Sequence, residues 1–295
     1  MGSTNSTTAG PPVRSETLVP TRTQLTCCAN KYKYEVYRDV VSDGPYDVVF
    51  LLGVGTAMRA DQYGDLARKI VEGTRTFLAV VDFNPFSVVK YDPKKFAAAV
   101  QSVLADVDAD AAALVSPDRR VVVGGHSAGG HAAAAACAAD PGSYDGFVGL
   151  DPCPLPGSGF EPIPLPTFVW GFRKKTCGVD PAAASEGAYA AAGHGHRTLV
   201  VLDNGSGGGR AADEDSRVNH CVFADGGCGV ACPGGADAAG DRVRRCIADA
   251  LRVFLKTLGG TNSRQEIYRN AAGNRGDPVE VYVDEEEVPI VGRVK

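Results

Sequence analysis

The chain has 295 residues, of which 44% are hydrophobic and 22% charged, and this composition excludes disordered, collagen-like and fibrous proteins. The net charge is −5 with no basic stripe, which argues against a nucleic-acid partner. The longest apolar runs fall well short of the roughly 20 residues that a membrane-spanning helix needs. The length suggests one or two domains, is within the range of a single α/β domain, and allows a large buried core.

The N-terminal segment, residues 1–22, is expected to lie outside the fold as a disordered leader. It is rich in Ser, Thr and Pro and contains one acidic residue, Glu16. Residues 1–6 fit the N-myristoylation pattern, and the composition of the whole segment also fits a plastid-type leader. The sequence leaves these alternatives open.

Strand and helix patterns alternate along the rest of the chain. In chain order they predict a strand over residues 45–52, a helix over 61–72, a strand over 77–81, a helix over 93–115, a turn over 116–118, a strand over 121–123, a helix over 131–139, strands over 146–150, 167–171 and 198–202, a helix over 241–258 and a last strand over 279–283. This alternation predicts a mainly parallel central sheet with helices on both faces. We assign residues 23–260 to this domain and residues 261–295 to a C-terminal extension.

A nucleophile candidate lies where a predicted strand meets a predicted helix. Residues 125–129 read Gly-His-Ser-Ala-Gly and fit the pattern G-x-S-x-G in its expected strand–turn–helix context. The turn is so tight that Ser127 must adopt a strained backbone conformation. Side chains at positions 125 and 129 would collide with the neighbouring strand and helix. The pattern therefore predicts Ser127 as a nucleophile.

A serine hydroxyl needs a base, and the base is expected after the last strand of the site. Of five histidines, His220 follows the strand over 198–202 and precedes the closing helix, so we choose it. His126 and His131 are better explained as packing or site-wall residues. His194 and His196 precede that strand and would lie at its wrong end.

Three aspartates have the sequence order required to orient this histidine. Asp151 directly follows the strand over 146–150 and is fixed by Pro152, so we favour it. Asp180 and Asp203 remain alternatives.

Two backbone N–H groups are needed to stabilise an oxyanion. The first is expected from Ala128, directly after the nucleophile. The second is expected from Gly53 or Val54, in a glycine-containing loop whose backbone can approach a substrate closely.

The cysteines after the proposed base do not have the spacing of a structural zinc site, so no metal is expected. A disulfide among Cys228, Cys232 and Cys246 would instead join the loop after the base to the closing helix.

Three of these stretches resemble the chlorophyllases, plant and algal members of the α/β-hydrolase superfamily. Residues 125–130 resemble the family's G-H-S-R-G-G, and residues 149–152 resemble its strand ending in Asp-Pro. Residues 219–225 resemble its G-H-x-D-x-L-D-D. The resemblance extends over roughly residues 45–260.

The resemblance implies an α/β-hydrolase fold with Ser127 as nucleophile, Asp151 as acid and His220 as base. It implies cleavage of the ester between phytol and the chlorophyll macrocycle, without metal or organic cofactor. It further implies a chloroplast location, with the cytoplasm as the alternative, and peripheral contact with a membrane. Two other functions stay open: a general carboxylesterase or lipase acting on another hydrophobic ester, and a non-catalytic ligand receptor with the same fold.

Overall fold

The computed structural model describes residues 33–39, 45–82, 93–110, 114–193, 197–202, 219–225, 227–228, 238–258 and 279–283. The predicted leader lies outside these residues, as do His194, His196, Asp203 and Cys232.

The described strands form one sheet. They are β1 (Lys33–Tyr37), β2 (Tyr46–Gly53), β3 (Thr76–Asp82), β4 (Val115–His126), β5 (Gly146–Leu150), β6 (Thr167–Phe172), β7 (Arg197–Leu202) and β8 (Val279–Val283). Across the sheet they stand in the order β1-β3-β2-β4-β5-β6-β7-β8. The six inner strands, β3, β2, β4, β5, β6 and β7, run parallel to one another. The two edge strands, β1 and β8, are antiparallel to their neighbours. The prediction of a mainly parallel α/β sheet is confirmed.

Helices cover both faces of this sheet. They are α1 (Gly64–Val71), α2 (Pro93–Asp110), α3 (Ala128–Ala139), α4 (Ser185–Ala191) and α5 (Ala238–Thr257). Side chains of α1 and α5 pack in one buried cluster with Phe50 and Leu52 of β2. Side chains of α2, α3 and α4 pack in a second cluster with Val49 and Leu51. Successive residues of β2 thus point to opposite faces, which explains why its sequence is continuously apolar.

The region between α2 and β4 differs from the prediction. Helix α2 ends at Asp110 rather than at residue 115, and Leu114, expected in its buried stripe, is 39% exposed. The Leu114 carbonyl accepts the Tyr46 N–H at 2.7 Å, so the chain has already joined the sheet there. The predicted turn over 116–118 lies within β4. These residues form a bulge opposite β2, where the pairing register shifts between Tyr46 and Val48.

Two elements, β1 and α4, were not predicted, because β1 mixes polar with apolar residues and α4 is short and contains a glycine. Helix α3 begins at Ala128, directly after Ser127, rather than at residue 131. Strand β8 lies in the predicted C-terminal extension and pairs with β7, so the sheet continues beyond residue 260. No helix in the described ranges is long and apolar enough to cross a bilayer.

Candidate active site

The predicted nucleophile lies at the carboxyl end of central strand β4. Ser127 separates this strand from α3 and has φ 54° and ψ −127°, in the left-handed region that side chains disfavour. Its N–H donates to the Leu150 carbonyl at 3.1 Å, which anchors the turn to β5. The predicted strain at Ser127 is confirmed, and such a conformation costs about 1–3 kcal/mol unless the surrounding structure enforces it.

The two glycines of the motif are required by close approach of backbone. A β-carbon at Gly125 would lie 2.3 Å from the carbonyl carbon of Gly129. A β-carbon at Gly129 would lie 2.5 Å from the carbonyl oxygens of Gly53 and Val54, in the loop after β2. The expected collisions are confirmed, and they show that this loop packs directly against the serine turn.

The predicted acid and base are joined by a hydrogen bond. His220 Nδ1 lies 2.6 Å from Asp151 Oδ2, and the two residues are only 5% and 1% exposed. Asp151 directly follows β5 with φ 44°, and its N–H donates to the Trp170 carbonyl at 2.6 Å. A carboxylate at Nδ1 keeps the proton there, so His220 Nε2 is free to accept one.

Asp180, the alternative acid, is exposed and serves a local turn. Its Oδ1 accepts the N–H of Ala182 at 3.1 Å. Asp203 lies outside the described residues. The structure therefore brings Asp151 to His220 and leaves Asp180 at the surface.

The segment that carries the base forms no helix or strand in its described residues, 219–225 and 227–228, and is held by hydrogen bonds and a disulfide. Asn219 Oδ1 accepts the N–H of Cys221 at 2.9 Å, and Cys221 forms a disulfide with Cys228. At the end of the segment, the Asp225 N–H donates to the Gln62 carbonyl at 2.6 Å. We call residues 219–228 the base loop.

A charged cluster joins the base loop to helices α1 and α5. Both Asp225 carboxylate oxygens accept the Asp65 N–H at the start of α1, at 2.9 and 3.1 Å. Arg244 of α5 donates from Nε to Asp65 Oδ2 at 2.7 Å and from Nη1 to the Val222 carbonyl at 3.2 Å. Lys69 also pairs with Asp65. One buried guanidinium thus contacts both the loop and its support.

The two carboxylates of this cluster respond to it in opposite ways. Burial and the nearby Asp65 charge raise the pKa of Asp225. Burial also acts to raise the pKa of Asp65, but hydrogen bonds from Lys69 and Arg244 outweigh it and lower that pKa overall. Asp65 is therefore the firmly ionised member, and it holds Arg244 in place.

The predicted disulfide between the base loop and the closing helix is wrong. Cys228 pairs with Cys221 inside the loop and therefore forms no disulfide with Cys246 of α5. The connection to α5 is made by Arg244 instead.

The loop after β2 approaches the serine as expected, but its first N–H groups are already engaged. Gly53 is the last residue of β2, and the Val54 N–H donates to the Val81 carbonyl at 3.3 Å. The Gly55 N–H donates to the Tyr63 hydroxyl at 3.0 Å. A β-carbon at Gly55 would lie 3.3 Å from Ser127 Cβ, so the loop passes close to the serine there. Ala128, which follows the serine, is the first residue of α3.

Both histidines near the serine turn line the site or pack beside it. His126 is fully enclosed, and its ring centroid lies 4.6 Å from that of His220 and 5.0 Å from that of Phe223. His131 Nε2 lies 3.1 Å from the Gly159 carbonyl oxygen. Sequence reasoning missed Tyr63, which contacts His126, because no motif marks a tyrosine in a short helical turn.

A cysteine also lies beside the serine turn. The Cys153 N–H donates to the Ser127 carbonyl at 2.9 Å. Burial and the charge of Asp151 raise the pKa of the Cys153 thiol, so it keeps its proton at neutral pH and does not act as a nucleophile.

The arrangement offers a strained serine, an enclosed histidine–aspartate pair and backbone N–H groups at one edge of the sheet, which suits acyl transfer. Among the described residues, no three His, Cys, Asp or Glu side chains are grouped to hold a metal ion. A comparison with models of known protein families finds no match, and a search of curated proteins finds no relative.

Proposed function

We propose that the chain is a serine carboxylic-ester hydrolase with an α/β-hydrolase fold. The observation that carries the proposal is the 2.6 Å hydrogen bond between His220 Nδ1 and Asp151 Oδ2 at the edge where Ser127 ends a central strand. A structural histidine–aspartate pair alone would not require a strained serine between a parallel strand and a helix. The sheet order, with the serine strand at its centre, supports the fold assignment.

In the first half of the reaction, Ser127 Oγ attacks the ester carbonyl carbon while His220 Nε2 takes the hydroxyl proton. The carbonyl oxygen becomes an oxyanion that accepts the N–H of Ala128. The second donor is expected from the loop after β2, at an N–H group other than those of Val54 and Gly55, which already bond to the Val81 carbonyl and the Tyr63 hydroxyl. The histidinium then gives its proton to the alcohol oxygen, the carbon–oxygen bond breaks, and the alcohol leaves.

In the second half, water attacks the ester that now joins the acyl group to Ser127. His220 takes a proton from the water and returns it to Ser127 Oγ as the acid product departs. Asp151 stabilises each imidazolium and keeps the histidine in the tautomer that exposes Nε2. No step requires a metal or an organic cofactor.

For the substrate we propose a hydrophobic ester of the chlorophyll type, giving chlorophyllide and phytol. This part of the proposal rests on the motif resemblance of residues 125–130, 149–152 and 219–225. Ala128 stands where the chlorophyllases have Arg, and this favours a general carboxylesterase or lipase as the second candidate. A chloroplast location with peripheral membrane contact goes with the first candidate.

The activity is tested with a p-nitrophenyl ester and the variants Ser127→Ala and Asp151→Asn. We expect both variants to lose at least about a thousandfold in kcat, because the nucleophile or the required tautomer is gone. Ser116→Ala is the matched control, since Ser116 lies on the same strand, in the bulged segment near its amino end. Its kcat should equal that of the unchanged protein.

A fluorophosphonate that labels active serines separates an enzyme from a receptor. Labelling that disappears in Ser127→Ala supports the proposal. An unchanged protein that neither reacts with the probe nor hydrolyses any ester contradicts it. Release of phytol from chlorophyll then distinguishes the two substrate classes, because a general esterase would turn over short esters and release none.

A further inference from the structure

A buried tyrosine hydroxyl connects the loop after β2 to the residue that precedes the serine. Tyr63 is fully buried, and its hydroxyl oxygen lies 3.0 Å from the Gly55 nitrogen and 2.7 Å from His126 Nδ1. Gly55 is also the loop residue whose α-carbon faces Ser127. The hydroxyl therefore joins the backbone of Gly55 to the side chain of His126, the residue before the nucleophile.

The other nitrogen of the same imidazole reaches the base. His126 Nε2 lies 2.8 Å from the main-chain carbonyl oxygen of His220. A carbonyl oxygen only accepts, so Nε2 must carry the hydrogen. Nδ1 is then bare and accepts the Tyr63 hydroxyl, whose oxygen in turn accepts the Gly55 N–H. Each hydrogen bond thereby fixes the direction of the next.

We propose that Tyr63 and His126 are positioning residues, which fix the loop after β2, the nucleophile Ser127 and the base His220 relative to one another. The inference rests on the proposed hydrolase function and deepens it. Its basis is a continuous chain of hydrogen bonds from Gly55 through Tyr63 and His126 to the His220 carbonyl.

The hydrogen-bond chain holds His220 at its main chain, whereas the acid holds it at its side chain. Asp151 holds the imidazole of His220, whereas His126 holds the main-chain carbonyl of the same residue. The base loop has no helix or strand to fix that peptide, so the ring could otherwise swing with its backbone. Because His126 is covalently joined to Ser127, the bond to His220 links nucleophile and base through only one intervening side chain.

The electrostatics of His126 fit this role. Burial, together with the charge that His220 acquires, lowers the pKa of His126 well below its usual range. The imidazole is therefore neutral and keeps one donor and one acceptor nitrogen, as the chain requires. A protonated ring would instead direct a second N–H at the Tyr63 hydroxyl oxygen, and that hydroxyl could no longer donate to Nδ1.

The test measures kcat and KM for a p-nitrophenyl ester in Tyr63→Phe, His126→Gln and His126→Phe. Tyr63→Phe removes one oxygen atom, and we expect kcat to fall about tenfold with KM unchanged. We expect a larger fall in His126→Phe and a partial return in His126→Gln, whose amide N–H can donate to the His220 carbonyl. Tyr144→Phe is the matched control, since this buried tyrosine lies in the opposite core cluster, and its kcat should stay within twofold.

Nitrogen-15 NMR of the histidine rings tests the hydrogen-bond chain in the unchanged protein and needs no measurement of activity. We expect His126 to be a single tautomer with its hydrogen on Nε2. A hydrogen on Nδ1, or a Tyr63→Phe protein as fast as Tyr144→Phe, would overturn the inference. An unchanged protein that does not hydrolyse esters or react with a fluorophosphonate would instead contradict the proposed function, so the two failures can be told apart.

Discussion

The serine turn and the base loop supply the two halves of the candidate active site, and they are held in different ways. The serine turn is built from consecutive residues between a central strand and a helix, and its fit depends on Gly125 and Gly129. The base loop is held by residues that are distant in the sequence. His220 bonds to Asp151 and His126, which precede it by 69 and 94 positions.

This difference determines how each half fails. The serine turn is rigid because backbone packs on backbone, so a single added carbon has no space to enter. The base loop depends on individual side-chain bonds, each of which contributes a modest amount and can be removed separately. We therefore expect changes in the turn to affect the whole fold and changes around the loop to act more locally.

The largest effect is expected from Gly125→Ala. The new methyl group would lie 2.3 Å from the Gly129 carbonyl carbon, and neither backbone segment can move without shifting β4 or α3. We expect the free energy of unfolding in urea to fall by about 3 kcal/mol. Gly142→Ala is the control, because the nearest atom to its β-carbon would be a side-chain oxygen of Asp140 at 3.9 Å. Equal stability of the two variants would refute the packing argument for the turn.

A smaller and more local effect is expected from Arg244→Met. The change keeps an unbranched apolar stem but removes the bonds to Asp65 and to the Val222 carbonyl. Because the Asp65 side chain is partly exposed, we expect the free energy of unfolding to fall by about 2 kcal/mol. Amide hydrogen exchange should accelerate at residues 222–225 more than in the central strands.

Arg252→Met serves as the control for that change. Arg252 lies on the same helix with its side chain 28% exposed, and it bonds to Asp249 and to the Glu72 carbonyl. Exchange in the base loop that is as fast in Arg252→Met as in Arg244→Met would show that Arg244 does not hold the loop.

The same division explains what the sequence could predict. The strain at Ser127 and the crowding at Gly125 follow from a short motif whose neighbours are adjacent in the chain, so both were predictable. Buried strands such as β5 were also predictable, since a strand covered on both faces must be apolar throughout. The end of α2 was not, because Leu114 continues the helical spacing while its carbonyl bonds to Tyr46 of the sheet.

Long-range partners were the part that local patterns could not supply. Sequence order allowed Asp151, Asp180 and Asp203, and the strand end before Pro152 favoured Asp151, whose contact with His220 is seen only in the fold. The pairing of Cys221 with Cys228 was missed because spacing does not reveal how a loop closes. Tyr63 could not be found, since its role depends on a histidine from another element.

The smallest expected effect is on the pH dependence of stability, and its measurement tests whether His126 is neutral in the folded protein. Because the pKa of His126 is lowered on folding, the unfolded chain binds a proton near pH 6.5 that the folded chain does not. This contribution to stability is complete above pH 6.5 and is lost as the pH falls below it, by at most about 1.4 kcal/mol per pH unit. His126→Gln cannot take up that proton. We therefore expect the stability advantage of the unchanged protein over His126→Gln, measured by urea unfolding, to shrink by about 1 kcal/mol between pH 7.5 and pH 5.5. An advantage that is constant or grows on acidification would mean that His126 is charged in the fold. Nδ1 would then carry a hydrogen and could not accept the Tyr63 hydroxyl.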